Sequence, residues 1–274
     1  MLTDVADVWL IGLDVPDEPL ARLAETLSDA ERERAALFTA AGRRGFVAAH
    51  GAVRVILGGL LGVRPERIGW RTAGDGKPAV TGPDRTERGG VEVSMSSSGR
   101  YAALAVTSRR PVGVDVQQWP MVTDPVLVAE RFWPLGEARL VAAGDRAAQA
   151  ARLTRLWTRK EACVKAAGGR LMQGMKLPVA GPGPVIVRDP GGALPGPFLV
   201  QDVPVPGGFH AAVAVTGAQA CRLRVHQWPS GHERAAEDRP VATGTRPFSD
   251  LSVGAAPLWK TDARSSRRFT PSFR

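Results

Sequence analysis

Two short stretches carry residue types that can supply oxygen ligands to a metal ion. In Pro111-Val112-Gly113-Val114-Asp115-Val116-Gln117 the alternation of apolar residues reads as a strand. Val112, Val114 and Val116 then enter a core, while Gly113, Asp115 and Gln117 share the opposite face. Aspartate is disfavoured in an apolar strand, so Asp115 and Gln117, two residues apart, offer oxygen ligands at its end. For Asp115 alone, a cap or a turn-facing acid is the competing reading. The second stretch is Leu156-Trp157-Thr158-Arg159-Lys160-Glu161-Ala162-Cys163-Val164-Lys165-Ala166. Helical spacing puts Trp157, Glu161 and Lys165 on one face, where an exposed Glu-to-Lys pair under a tryptophan would explain them. Leu156, Lys160 and Val164 run along a neighbouring stripe, however, so Glu161 lies beside the apolar face. A carboxylate there needs a metal or a firm partner.

Repeated strands are expected to position these stretches. Ile11-Gly12-Leu13-Asp14-Val15, after the apolar run Val8-Trp9-Leu10, has the pattern of Val112-Gly113-Val114-Asp115-Val116. Tyr101-Ala102-Ala103-Leu104-Ala105-Val106 likewise resembles His210-Ala211-Ala212-Val213-Ala214-Val215. Each is a short apolar run bounded by turn residues, which signals a buried strand. Short similarity also arises by chance in a chain rich in alanine and valine, but both pairs occur in the same order at near-equal offsets. Two similar α/β lobes are therefore expected, one over residues 1–109 and one over 110–228. Helices lie between the strands. Ser28-Asp29 followed by Glu31 and Glu33 reads as a helix start. Residues 44–61 carry Phe46, Val47, Val53, Leu57, Leu60 and Leu61 and end near Gly62. Residues 137–140 start a short helix, and 147–167 form a longer one that stops at Gly168-Gly169. Residues 229–274 show little periodicity and read as a disordered tail.

Hydrophobic residues at 44% and charged residues at 23% allow a real core. No charged n-region precedes an apolar h-region, so no secretory signal is expected. Apolar runs such as residues 53–61 are interrupted by arginine and glycine and read as too short to span a bilayer. A cytoplasmic protein without a membrane partner is expected, with the isolated Cys163 and Cys221 as inert core thiols. The net charge of +9 suits nucleic acid, a phosphorylated cofactor or an acidic protein surface, and charge alone does not choose among them or against a simple compositional bias towards arginine. Low aromatic content and the lack of a recognition motif argue against nucleic acid. The tail arginines Arg264, Arg267, Arg268 and Arg274 keep a basic DNA-binding module as a minor reading.

The two chemical stretches together resemble the Sfp-type 4′-phosphopantetheinyl transferases. Trp157-Thr158-Arg159-Lys160-Glu161-Ala162-Cys163-Val164-Lys165-Ala166 is similar to the family's W-x-x-K-E-A-x-x-K-A signature, and Gly113-Val114-Asp115-Val116 precedes it as in the family. Upstream, Asp75-Gly76-Lys77-Pro78 resembles a G-K-P element, and Ser94-Met95-Ser96-Ser97-Ser98-Gly99 occupies the S-H-S region. The resemblance runs over residues 1–228. It implies an α+β fold of two similar α/β lobes about a pseudo-twofold axis, with the active site at their interface.

The implied activity is transfer of the 4′-phosphopantetheine arm of coenzyme A to a serine of an apo acyl- or peptidyl-carrier protein, releasing 3′,5′-ADP. This is a Mg²⁺-dependent reaction of the holo-acyl-carrier-protein synthase type, serving fatty acid, polyketide or nonribosomal peptide synthesis. By resemblance, Asp115, Glu161 and Gln117 hold Mg²⁺ against the pyrophosphate. Lys165 would sit near the leaving 3′,5′-ADP, and Glu161 or a water on the ion would take the serine proton. Coenzyme A contacts are expected from Lys77, Ser96, Ser97 and Arg100, and from Arg43, Arg44 and Arg54. Two positions depart from the family. Gln117 stands where a second carboxylate is usual, and Ser97 where a histidine usually meets the 3′-phosphate, with Arg100 nearby to compensate. Both weaken coenzyme A binding, so a catalytically impaired homologue that binds coenzyme A or a carrier protein is the alternative. Phe132 and Trp133, within 121–140, are expected in the core, with carrier docking as their other reading. A monomer is expected, because one chain can assemble the cleft.

Overall fold

A computed structural model describes residues 4–72, 78–81 and 91–229. The fold is mixed α+β, with two four-stranded sheets, a two-stranded ribbon and one long helix on each large sheet. In chain order the elements begin with β1 (Asp4–Gly12), α1 (Asp17–Glu25), α2 (Asp29–Ala36) and α3 (Ala40–Leu61). The ribbon β2 (Gly69–Thr72) and β3 (Pro78–Thr81) follows, then β4 (Glu92–Ser98), β5 (Tyr101–Thr107) and β6 (Val112–Gln118). Next come α4 (Pro125–Phe132), α5 (Leu135–Ala142), α6 (Arg146–Ala166) and α7 (Leu171–Gly174). The chain continues through β7 (Val185–Val187), β8 (Phe198–Asp202), β9 (Phe209–Thr216) and β10 (Cys221–Trp228).

The first sheet has the order β10-β1-β5-β4 and the second β6-β9-β8-β7. They face each other across a core built by Val8, Ala103 and Ala105 from one and Val112, Val114, Val116, Val213 and Val215 from the other. On the far side of the first sheet, α3 contributes Ala49, Ala52, Val53, Ile56 and Leu57 to a second core with Ile11, Ala102 and Leu104. On the far side of the second, α6 packs Ala162, Cys163 and Ala166 with Ala212, Ala214 and Val200. Edge strands β4 and β6 meet, which makes a seam between the sheets.

The helix signals have clear physical counterparts. Ser28 caps α2 in a reciprocal capping box with Glu31, so each satisfies a backbone N–H left open at the helix start. Gly62, at φ 67°, closes α3 in the left-handed conformation. The helix expected over 44–61 starts earlier, at Ala40, where Thr39 caps it by accepting from the Gly42 N–H, and it ends at Leu61 as expected. By length and composition alone the 22-residue α3 could cross a membrane, and in this fold 61% of its apolar window is buried. Cys163 and Cys221 are both buried and free, and burial pushes both thiols up.

Of the two sequence repeats, one has a structural counterpart. Tyr101–Val106 and His210–Val215 fall in β5 and β9, the strands next to β1 and β6. Ile11 pairs with Ala102 and Val116 with Ala211, so Ile11 corresponds to Val116 rather than to Val112. The Ile11–Val15 match is out of register by that measure. Gly12 ends β1 with open space where its Cβ would be, whereas Gly113 lies inside β6 against helix backbone. The last strand also crosses back. Although β10 falls within residues 110–228, it pairs in parallel with β1, Asp4 to Cys221 through Ile11 to Trp228. Asp7 fixes it there, accepting from both Nε and Nη2 of Arg224 and lying 2.7 Å from His226 Nε2. All of the expected tail at 229–274 except Pro229 lies outside the described residues.

Candidate active site

The site begins with the face of β6 that carries Gly113, Asp115 and Gln117. The three valines between and before them fill the core between the sheets, which leaves this face to α6. A Cβ on Gly113 would stand 2.0 Å from the Ala162 carbonyl oxygen and 2.4 Å from the Ala166 nitrogen. Helix and strand backbones therefore touch at Gly113, an approach that a strand permits only at glycine. That contact sets Lys165 over the strand. Its Nζ donates to Asp115 Oδ1 at 2.7 Å and to the Val114 carbonyl oxygen at 3.1 Å.

The opposing wall is β4, whose serines recur with the period of a strand. Ser94 Oγ accepts from the Val114 N–H and Ser98 Oγ from the Gln118 N–H, each at 3.1 Å. Between them Ser96 Oγ donates to Asp115 Oδ1 at 2.7 Å. Side-chain hydroxyls thus replace a backbone ladder at the seam. Asp115 itself is 1% exposed. Its Oδ1 accepts two hydrogen bonds, while Oδ2 is buried with no hydrogen-bond partner among the described residues. A carboxylate oxygen left so costs about 1–3 kcal/mol or more.

Glu161 sits one turn before Lys165 on α6, half-buried, beside the residues that cross Gly113. The helix under it is anchored from below. Lys160 is fully buried, donates to Glu137 Oε2 at 2.5 Å and to the Leu177 carbonyl, and lies 4.9 Å from the Trp133 ring centre. Burial pushes the Lys160 ammonium down, and the Glu137 carboxylate opposes that shift. Glu137 Oε1 in turn accepts from the N–H groups of Val179 and Ala180. Arg159 is likewise buried, with Nε and Nη2 on the two oxygens of Asp202 at 2.7 and 2.8 Å. Burial would raise the Asp202 carboxyl, but Arg159 and Arg155 outweigh it and hold it below its ordinary range. Trp157 and Phe132 pack against the core around α6, and Trp133 is buried within it.

The structure thus brings Asp115, Lys165 and Ser96 into direct contact. Gln117 follows on the same face of β6, half-buried, opposite His210. Burial, then Arg155, pushes the His210 imidazole down. Ser97 shares the strand parity of Val93 and Met95, which pack towards α3, so it lies on the face away from the serines of the seam. Arg100 is exposed at the β4–β5 turn. Arg43 is exposed near Ala36, and Arg44 pairs with Asp17 at 2.5 Å and donates to the Val15 carbonyl. Arg54 is not brought to any surface. Its guanidinium is 1% exposed, 2.6 Å from Glu31, and donates to the carbonyls of Pro65 and Ile68. It joins α2, α3 and the turn after α3, which corrects the expectation that it meets a phosphate: a fully buried cation needs its carboxylate. Lys77 lies outside the described residues. Among the described residues no group of three His, Cys, Asp or Glu side chains is placed to hold a metal.

The seam contacts of Ser94 and Ser98, the Glu137 partnership with Lys160 and the close approach at Gly113 were not expected. Alternation of serines at 94, 96 and 98 was the available signal for the seam. Nothing local to Glu137 marks it as the partner of Lys160.

The elements that build this site lie in a stretch similar to known proteins. The profile of the 4′-phosphopantetheinyl transferase superfamily matches residues 111–182, which span β6 to just beyond α7. The 4′-phosphopantetheinyl transferase HetI of Nostoc sp. strain PCC 7120 is 34% identical over 181 residues, 66% of this chain and 76% of that protein. A putative 4′-phosphopantetheinyl transferase, slr0495 of Synechocystis sp. strain PCC 6803, is 27% identical over 124 residues, 45% of this chain and 49% of that protein. With the signature helix packed on the aspartate strand and a relative matched over most of its length, the chain belongs to the 4′-phosphopantetheinyl transferase superfamily.

Proposed function

We propose that this protein transfers the 4′-phosphopantetheine group of coenzyme A to a serine of an apo acyl- or peptidyl-carrier protein and releases 3′,5′-ADP. The observation that carries this reading is the buried Asp115 Oδ2 without a hydrogen-bond partner among the described residues, on the face of β6 that α6 covers. Such an oxygen suits a cation. The donors at hand are all hard oxygens, from Asp115, Glu161 and Gln117, which fit Mg²⁺ better than a softer metal. Two carboxylates suffice, since Mg²⁺ keeps several waters. When bound, Mg²⁺ would offset the charge of the pyrophosphate and of the departing phosphate.

The protein's own groups divide the remaining work. Asp115 and Glu161 would hold the ion beside the pyrophosphate. Lys165 has three N–H donors, two of them on Asp115 and Val114, so one remains to meet a phosphate oxygen of the leaving 3′,5′-ADP. As the carrier serine oxygen bonds to phosphorus, the bond from that phosphorus to 3′,5′-ADP breaks, and the serine proton passes to the Glu161 carboxylate. The chain's charge of +9 favours encounter with an acidic carrier surface. A single chain supplies β4, β6 and α6, so the monomer is the working unit, and a cytoplasmic setting suits its free thiols.

The test is to incubate the purified protein with coenzyme A, Mg²⁺ and an apo carrier protein and weigh the carrier by mass spectrometry. A gain equal to one phosphopantetheine, lost in Glu161→Ala, is expected. No gain across fatty acid, polyketide and peptide carriers, while coenzyme A still binds, would replace this reading with the non-catalytic homologue.

A further inference from the structure

The two oxygens of Asp115 are treated very differently by their surroundings. Oδ1 receives both available donors, Ser96 Oγ and Lys165 Nζ, each at 2.7 Å. Oδ2 is buried and receives none among the described residues. The donors on Oδ1 also differ in kind. Lys165 hangs on a long, flexible stem, and its third N–H donor is the one expected to meet phosphate when substrate arrives. Ser96 is short and sits on β4 between two ties to the β6 backbone, Ser94 to Val114 and Ser98 to Gln118. With β4 and β6 pinned on both sides of it, the Ser96 hydroxyl is held at Oδ1.

We infer that Ser96 is a positioning residue for the divalent ion: it holds Oδ1 of Asp115 across the seam and so keeps Oδ2 turned to the ion. The inference rests on the metal reading of this site and adds a role to it. It gives Ser96 a partner on the protein rather than on the coenzyme A phosphate. The hydroxyl proton is committed to a carboxylate, and the carboxylate plane is fixed by a contact from a different sheet. Outer partners of metal ligands commonly change metal affinity by about 10–100-fold when removed.

The experiment follows Mn²⁺ binding by electron paramagnetic resonance, in enzyme with equimolar coenzyme A and no carrier protein. Wild type, Ser96→Ala, Ser96→Thr and Ser98→Ala are compared, with thermal melts to show that each is folded. Ser96→Ala is expected to weaken Mn²⁺ binding about 10-fold or more. Ser96→Thr keeps a hydroxyl and should stay within about threefold, as should Ser98→Ala, which loosens the seam without touching Asp115. The preference for coenzyme A over 3′-dephospho-coenzyme A should be unchanged in Ser96→Ala. Wild-type Mn²⁺ binding in Ser96→Ala overturns the inference, as does an equal loss in Ser98→Ala or loss of the 3′-phosphate preference alone. If the wild type binds no Mn²⁺, the metal reading itself falls.

Discussion

The carbonyl oxygen of Ala162 lies 2.0 Å from the point that a Cβ on Gly113 would occupy. The atoms in the way belong to the helix backbone and cannot swing aside, so a methyl group there must push α6 away from β6. Gly113→Ala is expected to cost about 3 kcal/mol, at the upper end for overpacking. Transfer activity should fall with it, because Lys165 leaves Asp115. Denaturant unfolding measures the loss. A variant as stable and active as wild type would contradict the close packing.

Lys160 and Glu137 make a second, independent test of what holds the signature helix. Lys160→Ala strands the Glu137 carboxylate in the core, 3% exposed, and should destabilise by about 3–5 kcal/mol. Replacing both, Lys160→Met with Glu137→Leu, removes the unpaired charge and should recover much of that stability. The double variant should remain less active, because the N–H groups of Val179 and Ala180 lose their acceptor beneath α6. Unfolding curves and transfer rates on the three variants decide it.

These two cases mark what was legible in the sequence. The alternation from Val112 to Gln117 gave the strand and the face of Asp115, because the period of a strand is local. The spacing of Glu161 and Lys165 likewise gave their common stripe, and Gly62 and Gly168 gave the helix ends. The partners of these residues were not local. Ser96 meets Asp115 from another sheet, Glu137 reaches Lys160 from another helix, and Glu31 buries Arg54 where surface phosphate contact was expected. The return of β10 to β1 is equally non-local, since a parallel pairing between the two ends of the described chain leaves no periodic mark. The match of Ile11–Val15 to Val112–Val116 failed for a related reason: the two glycines share a sequence context but only Gly113 faces a helix.

Acid should weaken the packing of α2 on α3 through Glu31. Burial raises its carboxyl, but hydrogen bonds from His50 and the Ser28 N–H, with the Arg54 guanidinium, outweigh this and hold it at about 2. A carboxyl depressed in the folded state stabilises above its unfolded value of 4.5 and loses that contribution as pH falls towards about 2. The loss should reach at most about 3 kcal/mol over that window. Thermal melts from pH 5 to 2 should show it, and Glu31→Gln, less stable at pH 7, should flatten that part of the profile.

Gln117 offers the ion a neutral oxygen where a carboxylate would add charge. Gln117→Glu is expected to lower the Mg²⁺ concentration for half-maximal transfer by about 3–10-fold, since ligand charge tunes affinity for hard cations. The Mg²⁺ dependence of carrier modification measures it. An unchanged or higher requirement would place Gln117 outside the ion's reach.

Transfer as proposed requires a strand acid and a helix acid to share one divalent ion beside the seam. Anomalous diffraction from crystals grown with Mn²⁺ and coenzyme A tests it directly. One peak is expected within about 2.0–2.2 Å of both Asp115 Oδ2 and a Glu161 carboxylate oxygen. A peak elsewhere, or carboxylates of Asp115 and Glu161 turned apart with no ion between them, would rule that shared site out.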